Sequence, residues 1–212
     1  MTSRRRRPIK REQGKLRDAR LFLIVSEGSD PEQSYFELFD TSPRRQFLFI
    51  GPRKDRSAPP HLGRRLREEK KKLDWQPGDV CAFVLDKDRW PDKTLSRLAQ
   101  EAVDNDAILA LSHPCFEYWI LLHFSGEADI PVDRKALKSM VRSRRDQMST
   151  RNFEKTLIEN VHHAMDRAEA LDVDLDARWP TTCGSRVYRL MRRMLMIQPV
   201  EKMKSEYALK AR

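Results

Sequence analysis

Leu21-Phe22-Leu23-Ile24-Val25-Ser26-Glu27-Gly28 (LFLIVSEG) decides the fold, because five apolar residues follow one another without a polar break and the run ends on Ser, Glu and Gly. A strand with one wet face alternates apolar and polar residues. A strand covered on both faces reads as a continuous apolar run and belongs to a parallel sheet. The segment therefore predicts a buried parallel strand whose carboxyl end delivers Glu27.

Working outward, Asp30-Pro31-Glu32-Gln33 has the form of a helix start. Asp30 is expected to accept from the first free amides, Pro31 to occupy the first helical position and Gln33 to reach back in a capping box. Tyr35, Phe36, Leu38 and Phe39 supply the core face of that helix. QFLFIGP (46–52) reads as a second strand and is followed by a basic, proline-closed loop. HLGRRLREEKKKLD (61–74) reads as a charged helix that points Leu62, Leu66 and Leu73 inward.

DVCAFVLD (79–86) is a third strand, KTLSRLAQEAV (93–103) a helix and AILALS (107–112) a fourth strand. From Pro114 the most apolar helix of the chain begins, CFEYWILLHF, with Phe116, Trp119, Ile120 and His123 on its core stripe. Strand and helix alternate throughout, which predicts an α/β fold with a mostly parallel sheet sandwiched by helices. From about residue 130 the pattern is helical, roughly 133–146, 152–171 and 183–197. The expected organisation is a basic arm over 1–20 and one α/β domain over 21–212 with its helical part packed on the sheet.

Charge is unevenly distributed. Of the net +10 in 212 residues, the first 20 carry +7, including Arg4, Arg5, Arg6 and Arg7, and the rest only +3. Such an arm, read as disordered, either adds salt-dependent affinity for phosphate backbones or simply solubilises the chain. Arg142, Arg144 and Arg145 belong to a second basic concentration, either a solvated helix face or a track for a nucleic-acid backbone. Arg186, Arg189 and Arg193 could extend it. Cys81, Cys115 and Cys183 are far apart and odd in number, which indicates no disulfide framework or zinc site and fits a cytoplasmic protein. No apolar run is long enough to span a membrane.

Three strands bring acids to one edge. The first ends at Glu27, the third at Asp86 with Asp88 beyond it, and the fourth leads to His113 and Glu117. Ligands of open α/β sheets bind at the carboxyl ends of parallel strands, and hard divalent cations take carboxylate oxygens. Asp86 and Asp88 share a side of an extended chain and can aim at one point. The alternative is that these aspartates begin a solvated turn, with Lys87 and Arg89 neutralising them.

Glu27-Gly28 followed by Glu32, Tyr35 and Phe36, then Asp86-x-Asp88, then SHPCFEYWILLHF, resembles the RloB family of TOPRIM-related proteins, akin to OLD-type nucleases, over residues 21–197. The resemblance implies a TOPRIM-like sheet, a Mg²⁺ site (Mn²⁺ in its place) and phosphodiester hydrolysis in RNA, tRNA included, or DNA. It also implies a role in bacterial defence against phage or foreign DNA, with a partner ATPase. Glu27, Asp86 and Asp88 fall on the catalytic and metal-site acids of the family, and Glu117 on the glutamate of its Pro-Cys-Phe-Glu motif. Lys155 resembles the late lysine of OLD-type nucleases, its alternative being an ordinary surface lysine. Lys87 and Arg89 would then contact phosphates. Pro31 and His113 depart from the Thr and Asn usual in the family.

Two other readings stand beside this one. A non-catalytic module that binds nucleic acid or a partner would keep the acids as remnants or as a regulatory metal site. A haloacid-dehalogenase-like phosphatase would want Thr or Val soon after its Asp-x-Asp, where this chain has Trp90.

Overall fold

The computed structural model describes residues 19–28, 30–40, 44–51, 59–124, 130–197, 201 and 204. Arg4, Arg5, Arg6 and Arg7 of the basic arm lie outside the described residues.

The elements run β1 (Arg20–Ser26), α1 (Glu32–Glu37), β2 (Arg45–Ile50), α2 (Pro59–Lys70), β3 (Val80–Asp86), α3 (Asp92–Asp104), β4 (Ala107–His113) and α4 (Phe116–Leu121). Then follow α5 (Arg134–Asp146), α6 (Thr150–Glu159), α7 (Val161–Leu171), β5 (Gly184–Ser185) and α8 (Val187–Ile197). The sheet order is β2-β1-β3-β4-β5. The first four strands pair in parallel and only β5 runs antiparallel, against β4. The chain is thus an α/β protein with a mostly parallel sheet between helices, as the unbroken apolar runs predict.

Strand periodicity divides the core in two. Phe22 and Ile24 of β1 with Val80, Ala82 and Val84 of β3 face one layer, which contains side chains from α1 and α4–α8. Leu23, Val25, Cys81, Phe83 and Leu85 face the other, against Leu62 and Leu66 of α2 and Leu95, Leu98 and Ala102 of α3. Each such large side chain taken from water contributes roughly 1.5–3 kcal/mol before entropy is counted. Because β1 and β3 are buried throughout after Arg20, both must stop where polar groups become useful. Ser26-Glu27 and Asp86 stand at those stops.

The local structure differs from expectation in three places. Asp30 does not cap α1: Pro31 holds the cap position without a side-chain hydrogen bond, Asp30 Oδ1 accepts from Ser34 Oγ at 3.0 Å, and Gln33 Nε2 donates to Glu37 Oε1 at 2.7 Å. The expected helix 152–171 breaks at Asn160, whose side chain turns to the carbonyl of His123 at 2.9 Å. The expected helix from 183 begins instead with β5, where Ser185 pairs with Ser112 and the two hydroxyls lie 2.8 Å apart.

Arg186 does not extend a basic track. It is 2 % exposed and clasps Asp172 with Nε at 2.9–3.0 Å and Nη2 at 2.8 Å. Arg189 and the Tyr188 hydroxyl meet the same carboxylate, each at 2.9 Å. Burial alone would push the Asp172 carboxyl upward, but these donors outweigh it and hold its pKa below the usual carboxylate range. A buried arginine with its acid satisfied is a structural tie between α7 and α8.

His123 lies in the core, as its place on the apolar stripe predicts. Its Nδ1 donates to the Trp119 carbonyl at 3.0 Å, which leaves Nε2 to accept from the Tyr35 hydroxyl at 3.1 Å. Complete burial lowers its pKa to about 3, so the ring is neutral.

Candidate active site

The carboxyl ends of β1 and β3 are neighbours because those strands pair directly, Ser26 standing opposite Val84. Past these ends the chain leaves the extended form, and the Glu27 amide donates to the Val84 carbonyl at 3.2 Å. Residues 87–90 make a turn closed by Trp90 N donating to Lys87 O at 3.2 Å. The two-residue period therefore ends at Asp86, and strand geometry is not what brings Asp86 and Asp88 together.

A guanidinium does so instead. Arg134, at the start of α5, donates from Nη2 to Asp86 Oδ2 at 2.8 Å and from Nη1 to Asp88 Oδ1 at 2.5 Å. Asp86 Oδ1 accepts from the Phe116 amide at 2.9 Å and so anchors the start of α4, one of the ordinary uses of an aspartate after a strand. Lys138, one turn along α5 from Arg134, places Nζ 3.6 Å from Glu117 Oε1.

Glu27 is 6 % exposed and both its oxygens are engaged. Arg89 Nη1 donates to Oε1 at 2.7 Å and Trp90 Nε1 to Oε2 at 2.6 Å. Arg89 is thus a partner of Glu27, and Lys87 Nζ lies 4.0 Å from Asp92 Oδ1 at the start of α3.

One acid at this edge is not among the residues expected there. Glu32 lies on the stripe of α1 shared with Tyr35, Phe36 and Phe39, and is 5 % exposed. Its Oε2 is buried with no hydrogen-bond partner. Burial, and then the nearby charges of Glu117, Glu27 and Asp30, raise its pKa. A glutamate at an apolar helical position is the signal by which the sequence marks it.

Asp86 titrates at about 7. Burial is the main cause, the Glu32 charge adds to it, and Glu117 contributes further, together outweighing Arg134 and the Phe116 amide. Cys115 stands beside the same acids, and burial together with the Glu117 and Asp86 charges keeps its thiol protonated. It is no thiolate nucleophile.

Glu32 therefore feels the charges of Glu27 and Glu117, Asp86 feels those of Glu32 and Glu117, and Asp88 is joined to Asp86 through Arg134. Among the described residues no three His, Cys, Asp or Glu side chains already stand in a metal-holding arrangement. Each acid except Glu32 is drawn to a donor of the chain, Asp86 and Asp88 sharing Arg134. The set nonetheless suits a hard divalent cation: its donors are all carboxylate oxygens, which accept more than one partner each, and Glu32 Oε2 has no other partner.

The remaining expected residues stand apart from this edge. Lys155 is exposed on α6 and pairs with Glu159 at 3.7 Å. Arg144 lies over the Phe124 ring at 5.9 Å and Arg145 over Phe153 at 5.2 Å, while Arg142 is exposed on α5. A cavity of about 260 Å³ opens by Tyr35, Arg145 and Phe153, and none of the five acids lines it. No helix among the described residues is long and apolar enough to cross a membrane.

No curated protein and no solved structure matches the chain. The family model for RloB-like proteins matches residues 22–194, from inside β1 to inside α8, and the chain belongs to that family.

Proposed function

We propose that the protein is a metal-dependent nuclease that hydrolyses phosphodiester bonds in RNA, tRNA included, or DNA, with Mg²⁺ or Mn²⁺ as its cofactor. The observation that carries the reading is the gathering of Glu27, Glu32, Asp86 and Glu117 at the carboxyl edge of paired parallel strands, one of them with a buried, unpartnered oxygen.

Glu27, Glu32, Asp86, Asp88 and Glu117 are the residues that would hold the metal. A bound divalent cation would supply charge to a phosphate and lower the pKa of a coordinated water. The chain's own groups do the rest. Glu27, fixed by Trp90 and Arg89, would serve as the general base or as a metal ligand. Arg134 and Lys138 supply positive charge beside the acids, where charge would develop on the phosphoryl oxygens. A defence role and a partner ATPase are part of the proposal and rest on the resemblance to the family.

A second reading, a non-catalytic module that binds nucleic acid or a partner, is favoured by the engagement of Glu27, Asp86, Asp88 and Glu117 with donors of the chain itself. The two separate in a cleavage panel of total RNA, tRNA, single-stranded DNA and duplex DNA, with Mg²⁺, Mn²⁺ or a chelator. The nuclease cleaves at least one substrate with metal, and Glu27→Gln or Asp86→Asn abolishes cleavage while the circular dichroism spectrum stays unchanged. Equal cleavage by the wild type and both variants overturns the assignment of these residues. Salt-sensitive binding without cleavage that survives both substitutions establishes the module.

A further inference from the structure

We propose that Arg134 and Lys138 are exchangeable counter-ions, which hold the acids while no divalent cation is bound and turn to the substrate's phosphate when one is. The inference rests on the nuclease reading and names the residues that would engage the phosphodiester.

Charge is the first argument. Five carboxyl groups (Glu27, Glu32, Asp86, Asp88 and Glu117) face three cations (Arg89, Arg134 and Lys138), which leaves a surplus of two negative charges once a divalent cation has displaced the protons of the acids. That surplus is the charge of one divalent cation. Once the acids give their lone pairs to it, they hold the guanidinium and ammonium less tightly, and the next anion to arrive finds both released.

Mobility is the second. The Arg134 side chain is 24 % exposed and that of Lys138 51 %, so both heads can turn without moving the backbone. Their helix stays where it is: Leu137 and Val141 are buried, and Asp133 caps its start by accepting from the Ala136 amide at 2.8 Å. Asp86 also keeps its place when Arg134 leaves, because the Phe116 amide still holds Oδ1.

Chemistry is the third. The guanidinium already spans two carboxylates, one through each Nη, and such a fork fits two non-bridging oxygens of one phosphate. Lys155, paired with Glu159 on α6, has no such position.

The test has two readouts, neither of them cleavage. Mn²⁺ affinity is measured by titration followed by electron paramagnetic resonance, and the affinity for fluorescein-labelled oligouridylate and oligothymidylate by anisotropy, with and without Ca²⁺. Removing a competing cation tightens Mn²⁺ binding, so Arg134→Gln is expected to bind it about tenfold more tightly, ~1.4 kcal/mol. In the wild type Ca²⁺ strengthens oligonucleotide binding, and in Arg134→Gln most of that gain is lost. Arg134→Lys restores part of it. Lys138→Gln, altered at a half-exposed position, shows the same two changes more weakly even if Arg134→Gln fails to fold. Arg64→Gln, whose partner Glu68 lies on α2, changes neither. Mn²⁺ affinity and Ca²⁺-linked gain equal to wild type in Arg134→Gln and Lys138→Gln overturn the inference and leave the nuclease reading standing. Absence of Mn²⁺ binding to wild type overturns both.

Discussion

Gly28 and Glu32 approach so closely that a Cβ placed on Gly28 would stand 2.6 Å from Glu32 Oε1 and 2.8 Å from Oε2. The missing side chain at 28 leaves the space that the Glu32 carboxylate fills. Gly28→Ala is expected to fold, because the tip of a glutamate is free to swing. The swing takes the carboxylate out of its position, and Mn²⁺ binding should weaken by about 10-fold to 100-fold, the usual effect of disturbing the support of a ligand. Titration of Mn²⁺ into wild type and variant decides the matter, and equal affinities would remove Glu32 from the acid set.

Glu32 itself should trade stability for binding. A carboxyl whose folded pKa is raised binds its proton more tightly in the native state, so stability falls as pH climbs above the unfolded value of 4.5. Glu32→Gln escapes that loss. Its melting temperature at neutral pH should rise above that of the wild type. Mn²⁺ should stabilise the wild type and not the variant. Calorimetry with and without Mn²⁺ checks both.

His123 sets an acid limit of opposite sign. Its folded pKa of about 3 lies below the unfolded 6.5, so the unfolded chain takes the proton first. Stability should therefore decline as pH falls from about 6.5 toward 3, with a slope approaching ~1.4 kcal/mol per pH unit from this one group. His123→Gln should flatten that limb in urea unfolding measured across pH 7.5, 6 and 5, at the cost of a lower stability at pH 7.5. A wild-type limb that keeps its slope in the variant would place the sensitivity elsewhere.

Asp172→Asn should be among the most damaging single changes. It leaves Arg186, 2 % exposed, without its counter-charge, and breaking one side of a buried pair costs about 3–5 kcal/mol. Glu169→Gln also removes a salt bridge, to Arg192, but both partners are more than two-fifths exposed and the loss should stay within about 1 kcal/mol. The difference between the two denaturation midpoints measures what burial adds.

The sheet was legible because its strands are continuous apolar runs, and Glu27 and Asp86 because each stands where such a run stops. Asn160 was not legible as a helix break, since neither glycine nor proline marks it and its side chain is held by a carbonyl 37 residues away in sequence. A two-residue strand such as β5 is below the length at which periodicity exists at all. Glu32 belongs to the family pattern but stands at no strand end, and only its place on the stripe of Tyr35 and Phe36 marks it as inward-facing. Arg134 was hidden by its company: in a run of seven cations, local sequence cannot say which one the fold turns toward an acid.

The bridge from Arg134 to Asp86 spans 48 residues. A chain made from its amino end completes β1, α1, β3 and α4 before Arg134 is joined to it. Up to that point Glu27 already has Arg89 and Trp90, but Asp86, Glu32 and Glu117 face one another with no cation among them. The acid edge and the sheet that carries it become compatible at neutral pH only when the helical half arrives, so the strands that present the chemistry do not make a self-sufficient unit. A fragment ending before α5 should lose more stability between mild acid and neutrality than the whole chain does.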